Sequence, residues 1–176
     1  CPNTGSMMGL IAEGLPVWVS TSDSPTRKYK HTWEMVQVDL GKGPSLVGIN
    51  TGHPNKLVME AIEAGQIGEL TGYASLRREV RYGKNSRIDI LLEDPKKGTC
   101  YVEVKNVHMM RKSGFAEFPD SVTQRGVKHL AEMSDMVREG HRAVMVFLVQ
   151  RADAKSLSLA RDIDASYGAA YDAALA

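Results

Sequence analysis

Three charged side chains on two short segments of this chain could together hold a divalent cation and a phosphate group. Asp89 lies in residues 86–92, and Glu103 and Lys105 lie in residues 100–105. Each segment alternates apolar with polar residues, which is typical of a β-strand with one buried face. The carboxylates are therefore expected to lie on the polar face of adjacent strands.

A turn-rich stretch, residues 94–99, separates the two segments and predicts a β-hairpin. With a symmetric turn, Leu92 pairs with Cys100 and Ile90 pairs with Val102. Asp89 then falls opposite Glu103, with the two Cβ atoms roughly 5 Å apart.

Two carboxylates this close repel each other by about 3 kcal/mol at an effective dielectric constant of ~20, or roughly two pKa units on one of them. A magnesium or manganese ion would offset this repulsion, because such ions bind one or two protein carboxylates and leave positions for water and phosphate. Asp89 and Glu103 are the predicted metal ligands, the carbonyl of Val104 could add a third, and Lys105 would stand near the phosphate. The alternative is that the three charges form only the solvent face of the hairpin.

The elements that would position these residues follow from periodicity and turn signals. A helix is predicted from Pro54 to Gly65, a strand over 72–83, a long helix from Ser121 to Gly140, and a strand covered on both faces over 142–149. The tail from Asp164 is predicted to be helical, and residues 108–117 are predicted to form a loop. Before residue 52 the chain predicts strands over 16–20, 29–39 and 45–50.

A cluster of basic and aromatic residues lies between the first two of these strands: Arg27, Lys28, Tyr29 and Lys30, with Trp33 shortly after. Cations interleaved with aromatic rings favour a surface that holds phosphates and stacks bases. The alternative is a solvated loop in which Tyr29 and Trp33 only pack the domain.

Composition restricts the class of protein. The 176 residues include 22 basic and 21 acidic side chains, so any nucleic-acid affinity must come from local clustering rather than net charge. The two cysteines, Cys1 and Cys100, lie far apart in the sequence, so neither a disulfide scaffold nor a structural zinc site is predicted. No segment is long and apolar enough to span a membrane or act as a secretory signal, so we expect a soluble, cytoplasmic protein.

The motifs along the chain resemble those of the sugar fermentation stimulation protein family, and Asp89, Glu103 and Lys105 resemble the site of PD-(D/E)xK nucleases. The matching segments are Cys1-Pro2-Asn3-Thr4-Gly5-Ser6-Met7, Ser20-Thr21-Ser22-Asp23, Lys28-Tyr29, His31-Thr32-Trp33-Glu34, Asn50-Thr51, Ser86-Arg87-Ile88-Asp89, Glu103-Val104-Lys105, Phe118-Pro119-Asp120, Arg125-Gly126 and Lys128-His129-Leu130.

This resemblance implies an α/β (α+β) prokaryotic DNA-binding protein linked to the regulation of sugar use. Residues 1–52 would be a partial OB-like β-barrel, and residues 53–176 a PD-(D/E)xK restriction-endonuclease-like αβββαβ domain. Family members begin before the Cys1 motif and continue past the last helix, so the resemblance also implies that both ends of the protein lie outside this sequence. Homodimer formation is left open.

The resemblance adds further candidates for the site, because the helix before the sheet often supplies another acid in the nuclease fold. Glu60 is one candidate and Glu79 is a second. Either could instead be structural, Glu60 as a surface glutamate and Glu79 as an ion-pair partner of neighbouring arginines.

The long helix carries the remaining candidates. Arg125, Lys128 and His129 share a face at helical spacing, and Arg87 shares a strand face with Asp89; all four are candidate nucleic-acid contacts. His129 could also be a hydrogen-bonded packing residue. Gln124 could complete a capping box with Ser121, reach the site, or do both.

Two functions remain open from the sequence. The first is a DNA-binding protein without strong sequence specificity, in which the nuclease-like metal site is inherited. The second is an active magnesium-dependent DNA endonuclease that uses Asp89, Glu103 and Lys105. An enzyme of another class is a third interpretation, which no phosphate-binding glycine loop or nucleophile motif supports.

Overall fold

The computed structural model describes Cys1 and residues 4–176; Pro2 and Asn3 of the first motif lie outside the described residues. The elements in chain order are β1 Val17–Thr21, β2 His31–Asp39, β3 Pro44–Gly48, α1 Pro54–Glu63, a 3-10 turn Gly68–Leu70, β4 Ser75–Tyr82, β5 Ser86–Asp94, β6 Gly98–Val107, β7 Met109–Lys112, β8 Phe115–Phe118, α2 Gln124–Arg138, β9 Arg142–Val149, β10 Ser156–Leu159 and α3 Ala165–Leu175.

The chain forms two compact units. The first contains Cys1–Thr51, Asn106–Val122 and Val149–Ile163, and the second contains Gly52–Lys105, Thr123–Leu148 and Asp164–Ala176. The predicted boundary after residue 52 falls beside the first change of unit. Two later segments, however, belong to the first unit, so a single boundary at residue 52 does not separate the two units.

The first unit contains the antiparallel sheet β1-β2-β3 and a second sheet of order β10-β8-β7. Its core includes Val36, Val38, Val47 and Ile49, which come from β2, β3 and the residue after β3. The three strands predicted before residue 52 are confirmed.

The predicted loop over residues 108–117 is wrong, because this segment forms the hairpin of β7 and β8. Met109, Met110 and Ala116 are buried, and Gly114 makes the turn with φ of +87°. Strands of four residues are too short to give a clear alternation in the sequence.

The second unit is a four-stranded sheet of order β4-β5-β6-β9 with helices α1, α2 and α3. The hairpin of β5 and β6 is confirmed, and its register pairs Leu92 with Cys100 and Ile90 with Val102 as predicted. Val58 and Ile62 of α1 pack against Ile90 and Leu92. Together with the helices, this arrangement confirms the predicted fold class.

One face of the hairpin differs from the simple alternation. A strict two-residue period would place Ile88 on the same face as Ile90, but Ile88 packs with Leu91 and with Met133 of α2. The change coincides with Glu79, whose φ of +50° lies in the left-handed region and which falls between the pairs Arg78–Ile90 and Val80–Ile88. A left-handed residue bends a strand and interrupts its two-residue period.

Strand β9 is covered on both faces as predicted: Val144, Val146 and Leu148 pack against one hydrophobic cluster, and Ala143 and Met145 pack against another. Most of its residues are nevertheless only half-buried. It lies at the edge of the sheet, beside β6. An edge strand has one long side without a neighbouring strand, which leaves its residues more accessible to solvent. The apolar run therefore predicts the strand but not how deeply its side chains are buried. Among the described residues, no helix is long and apolar enough to cross a membrane.

Candidate nucleic-acid interface and metal site

The carboxylate of Asp89 is held by two N–H donors on neighbouring elements. The backbone N–H of Val104, on β6, donates to Oδ2 at 2.7 Å, and Asn55 Nδ2, in the first turn of α1, donates to Oδ1 at 2.8 Å. Asp89 is therefore fixed beside the strand that carries Glu103. The helix residue that contacts it is an amide rather than an acid.

Glu103 is a buried carboxylate, only 3% exposed. Its Oε1 lies 2.7 Å from Lys105 Nζ and 2.5 Å from His129 Nδ1. Its Oε2 is buried and has no hydrogen-bond partner among the described residues. Glu103 and the largely buried Lys105 therefore do not lie on a solvent face of the hairpin, which is the alternative that the sequence left open.

His129 links Glu103 to an exposed cation. Arg125 Nε lies 3.3 Å from His129 Nε2. An arginine can only donate, so Nε2 accepts this bond and the proton of a neutral imidazole sits on Nδ1, from which it is donated to Glu103. The imidazole therefore serves as a hydrogen-bonded support for the carboxylate.

The pKa values of the two carboxyl groups are shifted in opposite directions. Burial, and then the negative charge of Glu103, raise the pKa of Asp89 above its ordinary value. Burial alone would also raise the pKa of Glu103, but hydrogen bonds from His129 and Lys105 and the charge of Lys105 outweigh it and lower that pKa. The protein thus compensates Glu103 itself and leaves Asp89 under-compensated.

The donor set fits a hard divalent cation. Glu103 offers a buried oxygen that has no partner among the described residues, and Asp89 has a raised pKa that a nearby cation would lower. No group of three or more His, Cys, Asp or Glu side chains is placed to hold a metal among the described residues, either here or elsewhere. Two carboxylates and a carbonyl are enough for an ion that keeps water or phosphate in its other positions.

The second unit has a basic cleft of about 690 Å³ that is lined by His129, the partner of Glu103, but not by Asp89 or Glu103 themselves. Five exposed cations line it, together with one acid, Glu79, and the supporting His129: the cations are Arg81, Lys84, Arg87, Arg125 and Lys128. Although the net charge of the chain is only +1, the charge here is strongly positive. Such a surface favours a polyanion.

The first unit has a separate cleft of about 570 Å³, lined by Arg27, Lys28, Tyr29 and Lys30 among others. Tyr29 is 70% exposed and Lys28 Nζ lies 5.3 Å from its ring centroid. Trp33, in contrast, packs against the core and donates to the carbonyl of Met35 at 2.9 Å. Trp33 therefore packs the domain, as the alternative interpretation predicted, whereas Tyr29 is exposed to solvent.

Comparisons with known proteins assign this arrangement to a family. Residues 52–176 match the model of the sugar fermentation stimulation protein RE domain, and residues 1–49 match that of the SfsA N-terminal OB domain. A sugar fermentation stimulation protein homolog of Azorhizobium caulinodans is 59% identical over 172 residues, which is 98% of this chain and 73% of that protein. Another, of Rhizobium meliloti, is 58% identical over 100% of this chain and 72% of its own length.

The chain belongs to the sugar fermentation stimulation protein family.

A solved member of the family has the same fold. The structure of Pyrococcus furiosus SfsA in complex with Ca2+ matches with a TM-score of 0.85 and 26% identity, over 98% of this chain and 71% of that one. The predicted order of an OB domain and then a sheet-and-helix domain is thereby confirmed for this member of the sugar fermentation stimulation protein family.

The additional acids predicted within the RE domain lie in different places. Glu60 is exposed and pairs with Lys56 at 3.7 Å on the surface of α1. Glu79 is also exposed, but Asn55 Nδ2 lies 3.5 Å from its Oε1, so Glu79 and Asp89 share a neighbour. Of the two, Glu79 is nearer the site, and neither role is tested by these contacts.

The long helix begins later than predicted. Thr123 is its N-cap and accepts a hydrogen bond from Gly126 N–H at 3.0 Å, whereas the expected cap was Ser121. Gln124 is consequently the first helical residue, exposed to solvent, and not the third. The predicted capping box is wrong, because the chain extends for two residues beyond Ser121 before the helix starts.

Several residues of the site were missed by the sequence. Asn55 looks like an ordinary first-turn residue behind Pro54, and Lys84 looks like part of an exposed turn. The signal that could have identified Lys84 is its position between Arg81 and Arg87, next to a glycine. Tyr82, whose buried hydroxyl has no hydrogen-bond partner in the described part of the chain, also lines the cleft.

Proposed function

We propose that this chain binds DNA without strong sequence specificity and that its RE domain carries a nuclease-like divalent-metal site. The observation that carries the proposal is the basic cleft, in which five exposed cations surround a lining residue, His129, that contacts Glu103 at 2.5 Å. A polyanion in the cleft would therefore lie against His129, which is hydrogen-bonded to Glu103.

The chemistry of the cleft favours the sugar-phosphate backbone over the bases. Arginine and lysine side chains neutralise phosphates, and such contacts are independent of sequence. The exposed Tyr29 with its neighbouring cations supports a second contact, because OB modules stack bases on aromatic side chains and hold phosphates with basic ones. A sequence-specific recognition helix is not required for either contact.

The metal would be held by Asp89, Glu103 and the carbonyl of Val104, with magnesium or manganese as the expected ion. Pyrococcus furiosus SfsA was solved in complex with Ca2+, which supports a site for a hard cation here. When bound, such an ion would stabilise negative charge on phosphate oxygens and lower the pKa of bound water. The protein itself would orient Glu103 through His129 and Asp89 through Asn55 and the N–H of Val104.

The second candidate function is cleavage of DNA by the same residues. It is favoured by Lys105, whose Nζ lies 2.7 Å from Glu103 Oε1 and whose side chain is only 13% exposed. An ammonium in this position could neutralise a phosphate oxygen or orient an attacking water. DNA binding does not depend on this second function.

One pair of assays on the same sample separates the two functions. A gel shift with a short DNA duplex, in calcium or chelator, tests binding, and incubation with magnesium or manganese tests cleavage. We expect a shift that weakens steeply as salt rises, because neutralised phosphates release their counterions. A chain that produces no shift at low salt contradicts the proposal.

The matched variant for cleavage is Asp89→Ala, with Glu60→Ala as a control on the exposed face of α1. If the chain cuts DNA, Asp89→Ala should abolish cutting and Glu60→Ala should leave it unchanged. A shift without cutting selects binding alone. Cutting that survives Asp89→Ala shows that a different site, or a contaminating nuclease, is responsible.

A further inference from the structure

A buried acid lies directly behind the turn that joins β4 to β5. Glu132, on α2, is only 5% exposed. The backbone N–H of Lys84 donates to its Oε1 at 3.3 Å, and Lys128 Nζ lies 3.8 Å from the same oxygen. Glu132 therefore contacts two residues that line the basic cleft, Lys84 and Lys128, without lining it itself.

The turn is shaped around this carboxylate. Gly83 has φ of +55°, and a Cβ atom built on it would lie 3.1 Å from the carboxyl carbon of Glu132. Glycine adopts this left-handed conformation without strain, whereas a Cβ atom here would require Glu132 to shift by a few tenths of an ångström. Lys128 Nζ also donates to the carbonyl of Asn85 at 3.3 Å, which ties the turn to α2 a second time.

The charged form of Glu132 is the form that these contacts stabilise. Burial alone would raise the pKa of Glu132, but a hydrogen bond from Ser86, the charge of Lys128 and the N–H groups of Asn85 and Lys84 outweigh burial and lower that pKa. Glu132 is thus a negatively charged side chain held behind a cleft whose exposed cations favour anions.

The turn also carries part of the positive charge of the cleft. Lys84 lies within it, and Arg81 and Arg87, which are partners across the β4–β5 pair, lie at its two ends. The conformation of the turn therefore sets where these cations are presented.

We propose that Glu132 is a positioning residue for DNA binding, which holds the β4–β5 turn so that Lys84, Arg81 and Arg87 face the phosphate backbone. This inference rests on the proposed DNA-binding function and adds the residue that organises the cleft. The expected change in DNA affinity on removing Glu132 is opposite in sign to the change expected from charge alone. Removing a negative charge from a basic cleft should strengthen DNA binding, whereas removing a support should weaken it.

The first test is Glu132→Ala, with Glu63→Ala as the control. Glu63 is an exposed acid at the end of α1 and does not line the basic cleft, so its removal changes net charge equally at a position away from the turn. We expect Glu132→Ala to weaken binding of a short DNA duplex by about fivefold or more and to lower the salt slope by about 0.9 for each phosphate that is no longer neutralised. Glu63→Ala should bind as well as wild type or slightly better. Glu132→Gln, which keeps an oxygen to accept from Lys84 N–H, should recover most of the affinity.

A second variant keeps every charge and so remains informative if Glu132→Ala does not fold. Gly83→Ala would strain the left-handed turn and press its Cβ atom against the Glu132 carboxyl group. Its control is Gly98→Ala in the β5–β6 turn, where φ is also positive, at +74°, but a Cβ atom would meet nothing within 4 Å. We expect weaker DNA binding for Gly83→Ala and wild-type binding for Gly98→Ala.

The outcomes separate this inference from the proposed function. Wild-type protein that binds no DNA contradicts both. Wild-type protein that binds DNA, together with a folded Glu132→Ala or Gly83→Ala variant that binds equally well or more tightly, overturns the positioning role alone. Faster amide hydrogen exchange at Lys84 and Asn85 in Glu132→Ala would accompany the expected decrease in affinity.

Discussion

At the scale of single residues, the site depends on how one buried charge is compensated. The sequence predicts that two close carboxylates need a compensating cation, and the structure brings two protein groups, Lys105 and His129, to Glu103. Asp89 receives only neutral N–H donors. The residual negative charge therefore lies mainly on the Asp89 side, where a bound cation would have most effect.

The support given by His129 can be measured through stability. Replacing His129 with alanine leaves a buried carboxylate with one partner fewer, which should lower the free energy of unfolding by about 3 kcal/mol at neutral pH. Because the pKa of Glu103 is lowered in the folded state, this contribution is present above the ordinary glutamate pKa. It is lost as the pH falls through the lower folded value, so part of the difference should disappear in acid.

Urea unfolding of wild type and His129→Ala over a range of pH checks this expectation. His129→Asn, which keeps a side-chain N–H near Glu103, serves as the milder companion and should lose less stability. Equal unfolding of His129→Ala and wild type at neutral pH would show that the imidazole does not support Glu103.

At the scale of elements, the sequence predicts those with a long or strongly punctuated pattern. The β5–β6 hairpin is recognisable because Asp89 separates Ile88 from Ile90 and Glu103 separates Val102 from Val104, on either side of a turn. Helix α1 is recognisable because Pro54 and Gly65 mark its two ends. The short strands β7 and β8 carry too few residues for a period to be seen. The edge position of β9 depends on sheet order, which no local pattern contains.

The start of α2 gives a direct test of a difference between sequence and structure. Thr123→Ala removes the observed cap and should cost about 1 kcal/mol of stability. Ser121→Ala removes the cap that the capping-box pattern predicts and should cost much less. Thermal or urea unfolding of the two variants checks the order; a larger decrease for Ser121→Ala would place the start of the helix at the residue predicted from sequence.

The residues of the site could be predicted only in part, because some of them come from elements that are distant in the sequence. Asp89, Glu103 and Lys105 were found because they lie on one predicted hairpin, and the family resemblance gave them a shared role. Asn55 and Glu132 reach the site from helices that are distant in sequence, and on a helix an isolated amide or acid looks like a solvated side chain. Their importance depends on tertiary contacts with β5 and with the β4–β5 turn.

At the scale of the whole molecule, net charge gives little indication of function while the distribution of charge gives much. A chain with 22 basic and 21 acidic residues places five exposed cations around one cleft of its RE domain. Long-range attraction between the whole chain and DNA should accordingly be small. Affinity should instead depend on these few side chains and decrease when they are removed.

The salt dependence of DNA binding tests this central claim most directly. The measurement compares wild type, the variant Lys84→Ala with Arg87→Ala, and a charge-matched control, Lys56→Ala with Lys96→Ala, at exposed positions outside the cleft. We predict that the cleft variant binds a DNA duplex more weakly than wild type. Its salt slope should be smaller by about 0.9 for each phosphate left without its cation, while the control should retain the wild-type slope. Equal slopes and affinities for the cleft variant and the control would contradict this prediction.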